Sequence, residues 1–536
     1  MLLRALLCFL IIAKISYAGS DLDSTRSSGT GVLNPDGMII DSIIIDNQDI
    51  HSTGKRGLDR LVLNLAGKLH LVTNKDIVRE ELLFRPGDTY SVELAEETAR
   101  NLRMRLALND ASIQVEEYIP GHLIVRVTTW DRWSLLGNLR IEREGGENTV
   151  QFGLHEQNFL GRNQFLAFDY YMQEEDDNYF IWQYSNDRVR GRPVRLAFDY
   201  SDDPTSELRS LVVSHPYYNL SQRLALSATF TDEGGRHDVY SNDSVVAEWR
   251  HRADVFGLRS GYRWGSYHRK IGIGLAYKYL YRDIRETQAY IADEFSSGFP
   301  EDSVYHQFTG SLALTDQQFI VERRINGFYY SEDITLMKSI ELAAGRAFMP
   351  DFGDHAFDLV SGEGRFAHRL GANTISLAYR RQFWFRSGQT LRQTAEFTAH
   401  WYNTYLSYLT GVLRGTFRSD RQSDRRSDLI LGGKTGLRGF TEHYSSGDRL
   451  LLINLEGRFF PGIEILSVLV GGVLFADVGR AWNAGEPFRV RDLDRSVGIG
   501  LRLSFERLTR TQLVRIDLSC GQDNQWRIGF GSGQYF

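Results

Sequence analysis

The nonapeptide GGKTGLRGF at 432–440 puts glycines, a lysine, a threonine, an arginine and an aromatic into one loop. Two chemistries suit such a stretch. Glycines beside Lys434 and Thr435 could cradle a phosphate, yet the strand-to-helix context that such a loop requires does not follow it. Alternatively, Arg438 could meet carboxylates, because a guanidinium is planar, stays charged and donates in a fork that lysine cannot copy. The acids to meet are Glu456 and Asp477. In 448–460, Leu451, Ile453, Leu455, Gly457 and Phe459 share one face, leaving Asn454, Glu456 and Arg458 on the other. In 467–479, Val468, Val470, Leu474, Ala476 and Val478 oppose Phe475, Asp477 and Gly479. With the apolar faces turned to lipid, Glu456 and Asp477 project inward from adjacent strands. Two confined carboxylates repel unless a cation joins them. Pattern alone leaves the cation open: Arg438 could be solvated, with Glu456 paired to Arg458 or Arg502.

The elements that must carry these residues are strands. The 536-residue chain has 12% aromatics and 50 glycines but only 10 prolines and 2 cysteines, a composition that favours β-structure with tight turns. Its net charge of −6 shows no nucleic-acid footprint. Residues 1–18 read as a signal peptide, with Arg4, the apolar run ALLCFLIIA and a small-x-small site at Ser16-Tyr17-Ala18. Its removal would leave Cys520 as the single cysteine. Beyond it no window is long and apolar enough for a spanning helix, LSVLVGGVLFA at 466–476 being the richest.

Residues 19–37 are a polar, flexible linker. Over 38–130 the patterns run strand (MIIDSIIIDN), helix, helix, strand, strand, a small α+β domain, with a possible extra helix at 55–68. Thr73 and Asp76 stand at capping-box spacing, Ser91 caps the second helix, and Leu94, Thr98, Leu102 and Leu106 give it one face. From 131 to 536 helix signals vanish. Strands of about 9–13 residues follow one another, the length a tilted strand needs to cross hydrocarbon. Connections alternate between short, as at 460–464 and 508–511, and long. Phe536 stands in phase with the apolar face of the last strand. A closed barrel is the β-solution that leaves no unpaired amides in lipid. Five strands follow Phe440, at 448–460, 467–480, 495–506, 511–521 and 525–536; between eleven and fifteen precede it, depending on whether pairs such as 238–250 and 254–266 are separate.

These features together resemble the BamA/TamA-like bacterial surface antigen family, whose superfamily also holds two-partner secretion transporters and the mitochondrial sorting-and-assembly barrel. The resemblance is carried by IVREELLFRPGDTYSVELAEETARNLR (77–103), VTTWDRWSL (127–135), GLHEQNFLGRN (153–163), GLRGF (436–440), NLEGRF (454–459), FADVG (475–479), GIGLRL (498–503) and Phe536. It implies a 16-stranded antiparallel transmembrane β-barrel in the outer membrane, preceded by one periplasmic POTRA domain. It implies a latch, with Arg438 pinned inside the barrel against Glu456 and Asp477. Gly436 and Gly439 would let the loop turn, and Phe440 would pack its tip. Phe475 and Gly479 would support it, and Phe536 would end the last strand. It also implies a seam between strands near 149–157 and 525–536, weakened by Gly529, Gly531 and Gly533.

The function so implied is insertion, assembly or translocation of polypeptides, received by strand addition at the edge 112–118 or 39–46. A passive channel or structural barrel is the alternative. Catalysis is not expected: the thirteen histidines form no metal-like cluster, no Gly-x-Ser-x-Gly elbow is present, and acids facing an arginine suit general acid–base work poorly. No metal or cofactor is called for. The expected partners are the lipid bilayer and unfolded polypeptides.

Overall fold

The computed structural model describes residues 34–49, 72–144, 147–173, 177–203, 205–241, 244–290, 302–328, 330–349, 356–422, 429–465, 468–505 and 513–536. The signal peptide, most of the linker and the possible helix at 55–68 lie outside the described residues.

The small domain is a three-stranded sheet with two helices. Strand β1 (Ile39–Gln48) runs parallel to β3 (His122–Asp131), which pairs antiparallel with β2 (Leu108–Ile119), so β3 is central and β1 and β2 are the edges. Helices α1 (Lys75–Glu80) and α2 (Val92–Arg103) cover one face. The core joins Ile40, Val78, Phe84, Tyr90, Leu102, Leu123, Val125 and Val127. Strand β3 alternates strictly between buried and half-buried positions, as a sheet with one covered face must. Ser91 caps α2 through Leu94 N–H. The cap of α1 is Asn74, which accepts from Asp76 N–H at 2.9 Å. Thr73, the residue at capping-box spacing, instead donates its backbone N–H to Asp131 at 2.6 Å.

From Leu135 onward the chain forms a closed antiparallel barrel. Fifteen strands precede the latch loop. The first six, β4–β9, are short: Leu135–Glu144, Glu147–Glu156, Phe165–Gln173, Tyr179–Asn186, Arg195–Asp203 and Ser206–His215. Nine long strands follow as β10–β18: Leu224–Ser241, Ser244–Gly265, Arg269–Ala289, Ser303–Glu322, Glu332–Phe348, Phe357–Leu370, Asn373–Arg386, Gln389–Leu406 and Leu409–Gln422. Within the loop, β19 (Leu429–Leu431) pairs with β20 (Ser445–Gly447). Then come β21 (Arg449–Ile465), β22 (Val468–Trp482), β23 (Asp494–Ser504), β24 (Leu513–Gly521) and β25 (Trp526–Ser532), which closes onto β4.

The closed sheet therefore holds twenty strands, not the sixteen that the resemblance implies. Five after the loop is as the alternation gives it, and fifteen before it is the upper end of the count from sequence. The segments 238–250 and 254–266 are not a pair; Ser244–Gly265 is one strand of 22 residues. Nor is 460–464 a turn, because β21 runs through it with a bulge between Phe459 and Ile463. The seam partner of β25 is β4 at 135–144, not the segment 149–157, which is mostly β5.

The outward positions carry Leu, Ile, Phe and Tyr that have nothing to pack on: Leu275 is 69% exposed, Leu312 63% and Leu474 67%. Large side chains this bare on consecutive outward positions make an apolar belt too extensive for a soluble surface. A twenty-stranded, edge-free sheet with such a belt is a membrane-spanning barrel.

Candidate functional site: a lumenal latch and the rim that carries the small domain

The loop between β18 and β21 turns into the barrel. Gly436 (φ 127°) and Gly439 (φ 88°) take backbone conformations that L-residues avoid. Space would forbid a side chain as well, since a Cβ on Gly436 would stand 2.3 Å from Leu452 Cδ2. Gly479 on the wall serves the same end from the other side, because a Cβ there would meet Leu431 of the loop at 2.9 Å. Phe440 is buried with Leu431, Leu437, Leu450 and Leu452, its ring 4.4 Å from that of Tyr444.

The tip so placed delivers Arg438. Its Nε and Nη2 donate to the two oxygens of Asp477 at 2.7 and 2.8 Å, and its Nη1 donates to Glu456 Oε1 at 2.7 Å. Asp477 also accepts from Asn454 Nδ2 at 2.8 Å, and the same amide holds the Gly436 carbonyl at 2.8 Å. Register explains the geometry: Asn454 stands directly opposite Asp477 and Phe475 opposite Glu456, so the two acids lie on a diagonal that one guanidinium can bridge. Asn454, Glu456, Arg458 and Asp477 are all fully buried beneath the loop. Phe475 stacks on Arg438 at 3.6 Å, and Tyr535 covers the guanidinium at 4.3 Å. The open alternatives are resolved together. Glu456 takes both Arg438 and Arg458 (Nε to Oε2, 2.8 Å), whereas Arg502 pairs with Asp517 at 2.6 Å.

Phe536 is a correction. Strand β25 ends at Ser532, Gly533 has a positive φ of 75°, and the last residues turn into the lumen. The main-chain oxygen of Phe536 accepts from Arg458 Nη2 at 2.8 Å, and its ring lies 5.5 Å from that guanidinium. Gln534 accepts from Arg502 at 3.1 Å, and the Tyr535 hydroxyl donates to the Gly433 carbonyl. Arg527 of β25 reaches the Gly439 carbonyl. The latch thus binds the loop, the walls β21 and β22, and the closing strand together. Tyr535, Asn454 and Arg527 are the members that sequence reasoning missed; inward alternation marks Asn454 and Arg527, but nothing local marks Tyr535.

From the small-domain side, the β13–β14 connection also enters the lumen. Arg458 Nη1 donates to the Ile325 carbonyl at 2.5 Å, and Phe328 is fully buried with Phe460, Leu469 and Leu513. On the rim carrying the small domain the connections 187–194, 216–223 and 323–331 are long where the pattern suggests short ones, and the first two supply part of its seat. Glu81 accepts from Arg188 (2.7 Å), Arg105 (3.0 Å) and the Tyr218 hydroxyl (2.6 Å). Glu97 accepts from Leu220 N–H at 2.8 Å and from the Tyr267 hydroxyl. Arg103 forks onto Asp333 at 2.9 and 2.5 Å, and Arg100 stacks 3.5 Å over Phe319. Burial, with the Glu81 charge adding to it, pushes the Tyr218 phenol far above its ordinary value, so Tyr218 stays a donor.

Comparison with solved structures finds likenesses over nearly the whole chain. CdiB from Escherichia coli matches at 12% identity and TM-score 0.45, covering 99% of this chain and 96% of that one. CdiB from Acinetobacter baumannii matches at 12% and 0.43, covering 93% and 74%. BamA from Haemophilus ducreyi lacking POTRA domains 1–3 matches at 11% and 0.41, covering 92% and 83%. No family model and no curated protein matches the sequence.

Proposed function

We propose that the chain is an outer-membrane barrel that inserts or translocates polypeptides, with its small domain a POTRA-type receiver in the periplasm. The observation that carries the reading is the latch itself: Arg438 ties an inward-folded loop to two wall acids while Arg527 and Tyr535 tie the same loop to the closing strand. That strand is seven residues long, holds Gly529 and Gly531, and meets the ten-residue β4. A short, glycine-bearing closing strand is the cheapest place to part a barrel, and a loop pinned beside it can set when it parts. In the small domain, Gly87, Asp88 and Tyr90 already pair with Ile40 of β1 and with Met38 just before it. The edge of β2 is therefore favoured for strand addition, whose main-chain bonds accept many sequences. No catalytic step belongs to this proposal.

The test is a photocrosslinker placed at the exposed Gln114 on β2 in cells. Unfolded membrane polypeptides should be captured there, and capture should fall when β2 residue Ser112 is replaced by proline, which breaks the edge. Capture of none, in cells whose barrel is folded, sinks the receiver role.

A further inference from the structure

Two walls of the lumen are built on opposite electrostatic principles. On the latch side every deeply buried arginine has its carboxylate: Arg438 with Asp477 and Glu456, Arg458 with Glu456, Arg502 with Asp517. Across the lumen, strands β9–β16 line a recess of about 770 Å³. Five cations face it, Arg259, Arg263, Lys270, Arg365 and Arg380, against two carboxylates, Glu341 and Glu363.

Alternation fixes their direction. Leu258, Tyr262 and Trp264 are exposed on the outside of β11, so Arg259 and Arg263 point inward; Ile271 and Ile273 do the same for Lys270 on β12. Glu363 is shared by Arg365 and by Arg380 (2.7 Å), so a single negative charge serves two positive ones. Arg263 donates to the carbonyls of Asn219 and Gln222 and stacks on Tyr217 at 4.0 Å, contacts that orient it without neutralising it. Glu97 of the small domain is the carboxylate whose field reaches both Arg263 and Lys270, one negative charge toward two positive ones. Arg259 and Lys270 have no carboxylate partner among the described residues. Gly265 pairs with Lys270 and Arg263 with Gly272, which makes Arg263 and Lys270 diagonal neighbours, their Cβ atoms roughly 7 Å apart. Like charges on neighbouring side chains repel, and an anion between them relieves that repulsion.

The rest of the lining is suited to that anion. Gly261, Gly272 and Gly274 stand at the inward positions of β11 and β12; the Tyr217 hydroxyl lies over Gly261 and Ser311 Oγ over Gly274, while Gly272 keeps its face clear, and Ser227 and Ser311 bring hydroxyls to the recess. We propose that this recess is a binding site for a small polyvalent oxyanion, held by Arg259, Arg263 and Lys270 with hydroxyls completing its shell. The inference does not rest on polypeptide transport; a passive barrel would carry the same site.

Calorimetric titration of the detergent-solubilised full chain with inorganic tripolyphosphate at low salt tests it. Saturable binding is expected, weakening as salt is raised. In the Arg259→Gln/Lys270→Gln double variant the affinity should fall by roughly tenfold or more, as loss of charge-assisted donors requires. Arg346→Gln, whose side chain is on the outward face with Ile340 and Leu342, should bind as the parent does. Should the double variant fail to fold, Lys270→Gln alone supplies the test, with a smaller loss. Absence of saturable heat at millimolar tripolyphosphate, equal affinity in the recess variants, or equal loss in Arg346→Gln would each overturn the assignment.

Discussion

At the scale of single residues, Asp477 and Glu456 depend on Arg438 unequally. Asp477 takes two of the three guanidinium bonds and keeps only Asn454 and the main-chain N–H of residue 438 without them, whereas Glu456 retains Arg458. Removing one partner of a buried ion pair strands the other, at about 3–5 kcal/mol. Arg438→Ala should therefore lower the heat resistance of the folded barrel by that order, and Asp477→Asn added to it should recover part of the loss. Arg438→Lys, with charge but no fork, should fall between. Gel mobility after stepwise heating reads all of them, and an Arg438→Ala barrel as heat-resistant as the parent would remove the latch from the account. The two acids were legible because period-two alternation turns them inward and sets up a demand for a cation; that Arg438 supplies it is what the family resemblance implies. Arg458 is on offer in the sequence as a rival partner of Glu456 rather than a companion to Arg438; only the covering loop makes one carboxylate serve both.

At the scale of elements, the last strand and the loop form one unit. Gly533 turns the chain inward so that Tyr535 stacks on Arg438 and on Arg515 (4.5 Å), while Phe536 meets Arg458. Deleting 534–536 removes these contacts but none of the ladder between β24 and β25. The amides of β25 should then exchange with solvent about tenfold faster, those of β22 unchanged, since local opening follows local stability. Equal exchange in the two strands would make the tail a bystander. The tail's course was hidden because Phe536 matches the apolar phase of β25, and a single positive φ three residues earlier breaks that phase. Strand number was hidden for a different reason. In β10–β18 alternation runs on past the hydrocarbon, so sequence gives the phase of each strand but not where it reverses, and the number that closes a cylinder is a property of the whole sheet.

At the scale of the molecule, the small domain is seated on the barrel by buried charge, a contact no local pattern announces. Glu81 and Glu97 lie in or beside helices whose polar faces read as solvated; their partners Arg188, Tyr218 and Tyr267 are as much as 170 residues away. Burial separates this seat from ordinary surface pairing. The Glu81 side chain is 1% exposed and those of Arg188 and Arg105 10% and 12%, whereas Arg79 and Asp76 on the same helix are 64% and 68% exposed. Replacing Glu81 by Ala leaves Arg188 buried without its carboxylate and Arg105 with Asp187 alone, an effect of about 3–5 kcal/mol, while Asp76→Asn removes a surface pair worth about 0–1 kcal/mol. Spin labels at Glu116 of β2 and Gly371, on the rim turn between β15 and β16, should give one narrow distance distribution in the parent and in Asp76→Asn. In Glu81→Ala that distribution should broaden. The Arg103–Asp333 fork and the Glu97 contacts lie farther round the rim, so the domain should pivot about them rather than detach. An unchanged distribution in Glu81→Ala would mean that the core of the small domain and its chain connection through Arg132–Ser134 fix its pose, with the charged seat contributing nothing.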